Sequence, residues 1–181
     1  FVRARPWGGG EHYSFTPSLG RIAALGSPQD IINTYAALHG PKAPEQAAYV
    51  LACLCDQDDA TPLIGWRDLD GAWHPGEMPA AEQVIVARHL LHHGIVGKAK
   101  PSETSSGRYS DRFDAAEYIA MARVHLGLSG SDAEALSMTE LHTLFEMKFP
   151  QKGTGGRDVP TREEYDAQMA AMKAILAAKE K

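Results

Sequence analysis

The sequence predicts an all-α fold: a compact multi-helix domain followed by a flexible linker and a C-terminal helix. Three observations carry this. Helix start signals recur along the chain, either a hydroxyl residue just before proline or a Ser-x-x-Glu box whose hydroxyl and carboxylate satisfy orphan N–H groups. Between these signals the apolar residues fall at helical spacing. No segment shows the alternating apolar pattern of a half-buried strand. The chain then divides into an N-terminal arm (1–15), a helical domain (16–150), a linker (151–160) and a terminal amphipathic helix (161–181).

The arm holds Arg3, Arg5, Trp7 and Gly8-Gly9-Gly10, and reads as extended or as a short strand pair about a glycine turn. Thr16 before Pro17 starts a first helix, which runs through Leu25 and ends at Gly26. Ser27 before Pro28 starts a second, stopped after Leu38 by His39-Gly40-Pro41. Pro44 opens a third, with Ala48, Leu51, Ala52 and Cys55 as its apolar stripe. Residues 61–79 are irregular, broken by Pro62, Gly65, Gly71, Pro75 and Gly76. They leave room for at most a small β hairpin, Trp66 to Trp73, about an Asp70-Gly71 turn, with both tryptophans plugging the core or, as the alternative, presenting a binding face.

Pro79 opens a fourth helix carrying Val84, Ile85, Ala87, Arg88 and Leu91, which stops at Gly94. Residues 99–110 are polar and read as a mobile loop. Three short helices follow between Ser110 and Pro150. In the first, Phe113, Ala116, Ala120 and Val124 form a stripe that Ile119, Ala122 and Leu126 widen. Ser131-x-x-Glu134 and Ser137-x-x-Glu140 are capping boxes for the other two. The run QKGTGGRDVP is the linker, and Thr161-x-x-Glu164 caps the last helix. There Tyr165, Met169, Met172 and Leu176 recur at i, i+4, i+7 and i+11, with acids in the first turn and Lys173, Lys179 and Lys181 near the end, as the helix dipole favours.

Composition narrows the function. With 181 residues, 44% hydrophobic and 23% charged, the chain can bury a sizeable core. A net charge of −5 argues against nucleic-acid binding, which needs cationic surface. No apolar run approaches the roughly 20 residues of a membrane span, and no signal peptide is visible. Cys53 and Cys55 lie two apart, a spacing that points them to different sides of a helix; reduced, partly buried thiols suit a cytoplasmic location.

The candidate chemistry is thin. His89 and His93 are one helical turn apart, the geometry of a zinc helix, but Leu90 stands where that motif places a glutamate and no third ligand is obvious. Counted as a calcium loop from Asp56, the sixth and twelfth positions are Thr61 and Arg67 in place of glycine and glutamate. Residues 152–157 share the composition of a phosphate loop but lack its Gly-Lys-Ser/Thr ending. There is no Gly-x-Ser-x-Gly elbow, and neither cysteine has a thiolate-stabilising neighbourhood. The expectation is a non-enzymatic protein that needs no metal or organic cofactor to fold. Tyr165, Met169, Met172 and Leu176 either fold back onto the body to bury their apolar face or form a protein-binding stripe adaptable through its methionines.

Four stretches carry a resemblance: YSFTPSLGRIAALGSPQDIINTYAALHG, AEQVIVARHLLHHGIVG, FDAAEYIAMARVHLGLSGSDAEALSMTELHTLFEMKFP and the charged tail. In these the chain resembles the tail-assembly-chaperone-like proteins of long-tailed bacteriophages, over Tyr13 to Pro150. The resemblance implies a small, mostly helical binding protein of the infected cell's cytoplasm. Its partners would be the tape-measure or tail-tube protein before the tail polymerises. It supplies no catalytic residues. Two other function classes stay open: a phage or host interaction protein that blocks or recruits a partner, and a histidine-dependent metalloprotein. Self-association through the terminal stripe is a further alternative, and no nucleic acid or membrane partner is expected.

Overall fold

Ser18, and not Thr16, caps the first helix: its side chain accepts the Arg21 N–H. Thr16 is used in tertiary structure instead, its N–H donating to the Leu54 carbonyl and its hydroxyl to the Asp56 carboxylate at 2.9 Å. The computed structural model describes residues 2–4, 10–98, 112–150, 162 and 169. Within them α1 spans Leu19–Ala23, α2 Pro28–Ala37, α3 Ala43–Leu54 and α4 Thr61–Ile64. Then come α5 (Ala80–Leu91), α6 (Ala115–Met121), α7 (Gly130–Ala135) and α8 (Met138–Lys148). The mostly helical architecture is as predicted. In the arm, β1 (Val2–Ala4) pairs with β2 (Gly10–His12), the paired of its two alternatives.

The helices converge on a core in which Leu19, Ile22, Ile31, Leu51, Leu54 and Leu91 are fully buried. The α3 and α5 helices pack against each other, and α1 touches α2, α3, α6 and α7. One boundary differs from expectation for a physical reason. Helix α5 does not stop at Gly94 but continues as a π-helical turn, His92–Val96, and ends at Gly97 with φ +63°. Gly94 is there for space: a Cβ would meet Ile22 Cδ1 at 2.8 Å. Helix α6 likewise runs on as a π-helical turn, Ala122–Leu126, and α8 packs on both turns.

Two predicted stripes hold in part: Leu51, Cys55, Phe113 and Ala122 are buried as expected, with Ala48, Ile119 and Leu126 packed against the core. On α3 the buried face is Ala43, Ala47, Val50, Leu51 and Leu54, while Ala52 is exposed and Cys55 lies past the helix end, bridged to Phe15. On α6 the expected Ala116, Ala120 and Val124 are exposed; Ala115 and Ala122 are buried, with Tyr118, Ile119 and Leu126 half-buried beside them. Ile85 of α5 is also exposed, and that helix buries Gln83, Ala87 and Leu91. Bulk does not set the inward face: Ile85 and Val124 are exposed, while Ala47, Ala87 and Ala122 are fully buried where helices pack closely.

Of the two boxes, Ser137–Glu140 forms as expected: one Glu140 oxygen accepts both the Ser137 N–H and hydroxyl at 2.8 Å, and Ser137 Oγ accepts the Glu140 N–H. Ser131–Glu134 does not. The cap of α7 is Ser129, which accepts the Asp132 N–H, because Gly127 in the left-handed region ends the preceding helix early enough to move the start forward. Among the described residues no helix is long and apolar enough to cross a membrane. A compact unit extends to Lys148 and a second begins at Phe149. The predicted loop at 99–110 and the predicted linker at 151–160 lie outside the described residues.

Candidate functional groove

Residues 61–79 are more ordered than their punctuation suggests. The Asp59 carboxylate accepts the Thr61 N–H and hydroxyl at 2.9 and 2.6 Å, which starts α4, and these bonds hold Asp59 below the usual carboxylate range. Buried Gln83 donates to the Ile64 and Met78 carbonyls and fastens both ends of the following hairpin to α5. Strand β3 (Gly65–Arg67) pairs antiparallel with β4 (Trp73–Pro75), so the predicted hairpin is present. Gly65 sits at φ +103°, and a Cβ there would strike the His74 carbonyl and the Trp73 ring.

The turn is not the two-residue Asp70-Gly71 type. Asp68 organises a wider one: its carboxylate accepts the Asp70 and Ala72 N–H groups, and Gly71 takes the left-handed position at φ +83°. His74 bonds the other Asp68 oxygen at 2.9 Å, and these bonds lower the Asp68 pKa, that from His74 most.

The tryptophans do not plug the core. Trp66 and Trp73 are 49% and 44% exposed, because two strands this short stand out from the body with only their base covered. Register sorts them to opposite faces. Trp66 stacks on its cross-strand neighbour His74, ring centroids 4.4 Å apart. Trp73 pairs across from Arg67, whose guanidinium lies 5.9 Å from its ring centroid, within cation–π range. Arg67 also reaches the Glu45 carboxylate of α3 at 2.7 Å.

That second face closes one side of an open groove of about 850 Å³. Gly65, Arg67, Trp73 and Pro75 form one wall; Glu45, Ala48, Tyr49 and Ala52 of α3 form the other. Asp58, Asp59 and Lys42 stand on its rim, and Met78 and Gln83 line its base. Tyr49 is fixed in place by its hydroxyl, which donates to the Leu25 carbonyl at 3.0 Å; burial, with Cys53 beside it, pushes its pKa up. Burial likewise raises the Cys53 thiol, against the smaller effect of its hydrogen bond with Tyr49. Leu69 at the hairpin tip is fully exposed.

The residues singled out from sequence lie elsewhere. His89 and His93 do meet, edge to face with centroids 4.6 Å apart, and His92 is 6.0 Å from His93. His93 Nδ1 is 2.9 Å from Thr139 Oγ1 of α8. Burial, then the charges of His89 and His92, hold His93 below the ordinary imidazole value. Among the described residues no three His, Cys, Asp or Glu side chains converge as a metal-binding group. Asp56 of the acidic run pairs with Arg21 at 3.2 Å, and Arg21 also donates to the Cys55 carbonyl. Of the terminal stripe only Met169 is described, helical and exposed; Tyr165, Met172 and Leu176 fall outside the described residues.

Sequence reasoning missed the groove although half of its signal was present. Glu45, Ala48, Tyr49 and Ala52 follow the i, i+3, i+4, i+7 pattern of a second helix face. No curated protein and no solved structure matches the chain. A family of unknown function, DUF6246, matches residues 40–167, a stretch that contains every groove residue named above. The chain is a member of the DUF6246 family.

Proposed function

We propose that this protein is a non-catalytic adaptor of bacteriophage tail assembly, which holds an apolar segment of a tape-measure or tail-tube subunit in the groove between α3 and the hairpin. The observation that carries the reading is the concentration of exposed Tyr49, Trp66, Leu69, Trp73 and Arg67 on and opposite one hairpin. Trp, Tyr and Arg dominate the energetics of protein interfaces, and an exposed aromatic groove with a charged rim is what a partner-binding surface presents. The resemblance of Tyr13 to Pro150 to tail assembly chaperones supplies the partner class, and such a protein works in the cytoplasm of the infected cell. A long helical tape-measure chain exposes apolar stripes before assembly, so reversible shielding has a physical use.

The test is co-expression with phage tape-measure and tail-tube proteins, followed by affinity capture. Capture of either is expected, lost on Trp73→Ala and retained on Trp66→Ala, whose ring faces away from the groove. Capture of neither, or capture indifferent to Trp73, refutes the reading. Capture of a host protein through the same groove would instead favour the blocking or recruiting alternative.

A further inference from the structure

Helix α3 has two working faces. One, with Ala47, Val50, Leu51 and Leu54, is buried in the core. The other, with Glu45, Ala48, Tyr49 and Ala52, is the wall of the groove opposite the hairpin. Alanines at 48 and 52 leave a trough beside the Tyr49 ring, and small residues at such positions let a second helix approach to about 8 Å. From residue 43 to residue 52 this wall is about 14 Å long at ~1.5 Å per residue, room for about two and a half helical turns.

The hairpin wall decides between backbone shapes. Gly65, Arg67, Trp73 and Pro75 alternate along their strands, so the groove meets a face of the hairpin and not its edge. Adding a strand requires an edge with free N–H and C=O groups, whereas a side-chain face suits a helix laid against it. The ends of the trough differ in charge. Lys42 stands at the N-terminal end of α3, and Asp58 and Asp59 stand beyond its C-terminal end. Between them Arg67 is already matched by Glu45.

We propose that the groove seats an amphipathic helix of a partner protein, antiparallel to α3, with its apolar stripe on Ala48, Tyr49, Ala52 and Trp73. This rests on the protein-binding reading of the groove. In the antiparallel direction the partner's N-terminus, the positive end of its dipole, lies at Asp58 and Asp59, and its negative C-terminus lies at Lys42. A parallel helix would reverse both contacts. The stripe consists of Leu, Met or Phe at i, i+3 or i+4, and i+7, flanked by polar residues.

The probe is a hydrocarbon-stapled helical peptide of about three to four turns with such a stripe, titrated into the full isotope-labelled chain. A control has the same composition with the stripe scattered. The stripe peptide is expected to shift the signals of Ala48, Ala52 and Trp73, and a spin label at its N-terminus to broaden Asp58 and Asp59 in preference to Lys42. Ala52→Gln, at an exposed helical position, should weaken binding by about tenfold or more while the thermal midpoint holds. Asp58→Lys should weaken it too.

Equal binding of the control, shifts elsewhere, broadening at Lys42, indifference to Ala52→Gln or no binding at millimolar peptide each overturn the proposal. So does a chain that self-associates through the groove and is dissociated by the peptide, which would make the occupant a second copy. Peptide binding as described without capture of tail proteins upholds this inference and removes the tail-assembly reading. Capture of tail proteins undiminished by Ala52→Gln does the reverse.

Discussion

Gly94 lies against Ile22 so closely that a Cβ at residue 94 would come within 2.8 Å of Ile22 Cδ1 and 3.2 Å of the Pro17 carbonyl oxygen. This contact lets the π-helical end of α5 press onto α1. Overpacking a core contact costs about 1–3 kcal/mol, and replacing glycine by alanine within a helix returns up to about 1 kcal/mol. Gly94→Ala is therefore expected to lose about 1 kcal/mol net in denaturant unfolding. In an Ile22→Val background, which removes Cδ1, the Gly94→Ala step should cost less. An additive double-mutant cycle would show that Ile22 is not the obstacle.

The two serine boxes supply the second prediction. Ser137 is buried and exchanges hydrogen bonds with Glu140, whereas exposed Ser131 lies inside α7 and caps nothing. Ser137→Ala should cost about 1–2 kcal/mol, and Ser129→Ala about 1 kcal/mol. Ser131→Ala should stay within about 0.5 kcal/mol. A larger loss at 131 than at 129 would restore the start that the Ser131-x-x-Glu134 spacing suggested.

Capping was legible in part because it is local, although Ser18 and Ser129 took the places expected of Thr16 and Ser131. Ser27 with Asp30 and Ser137 with Glu140 each lie within one turn, and their chemistry needs no tertiary context. Stripe phase was harder to read on α3 and α6. Both are alanine-rich, so two neighbouring phases look equally apolar, and only Val50 and Leu54, or Ile119 and Leu126, mark the inward side. Gly94 reads as a stop until Ile22 is beside it. The groove was invisible for the same reason: Arg67 meets Glu45 across 22 positions of sequence, and no local rule brings a hairpin to the second face of a helix.

Helix α3 offers a direct test of phase. Leu51 is fully buried and Ala52 exposed, although they are adjacent and sat together in the expected stripe. Leu51→Ala should cost about 2–5 kcal/mol through lost burial and the cavity it leaves. Ala52→Gln should stay within about 0.5 kcal/mol, both residues being good helix formers at a solvated position. Comparable losses at both sites would mean that the α3 face toward the hairpin is core and not groove.

The last prediction concerns pH. His93 joins the π-helical turn after α5 to Thr139 of α8, and its pKa is held down by burial first and by His89 and His92 second. The unfolded chain, with an imidazole near the ordinary value of about 6.5, then binds more protons than the folded chain in the interval between the two values. Stability therefore rises with pH across that interval. It is fully present above about pH 7, falls as pH drops through ~6.5, and levels off below the folded value of His93. Asp59 and Asp68 have folded values below the ordinary carboxylate range, so their contributions persist through this window and are lost only at lower pH. Denaturant unfolding from pH 7.5 down to about pH 5 should show a decline in stability that His93→Gln flattens, with Thr139 placed to bond the amide in its stead. His89→Gln should reduce the decline without abolishing it, since it removes only one of the neighbouring charges. A decline unchanged by His93→Gln would place the responsible proton elsewhere and would remove His93 as the acid-sensitive link between α5 and α8.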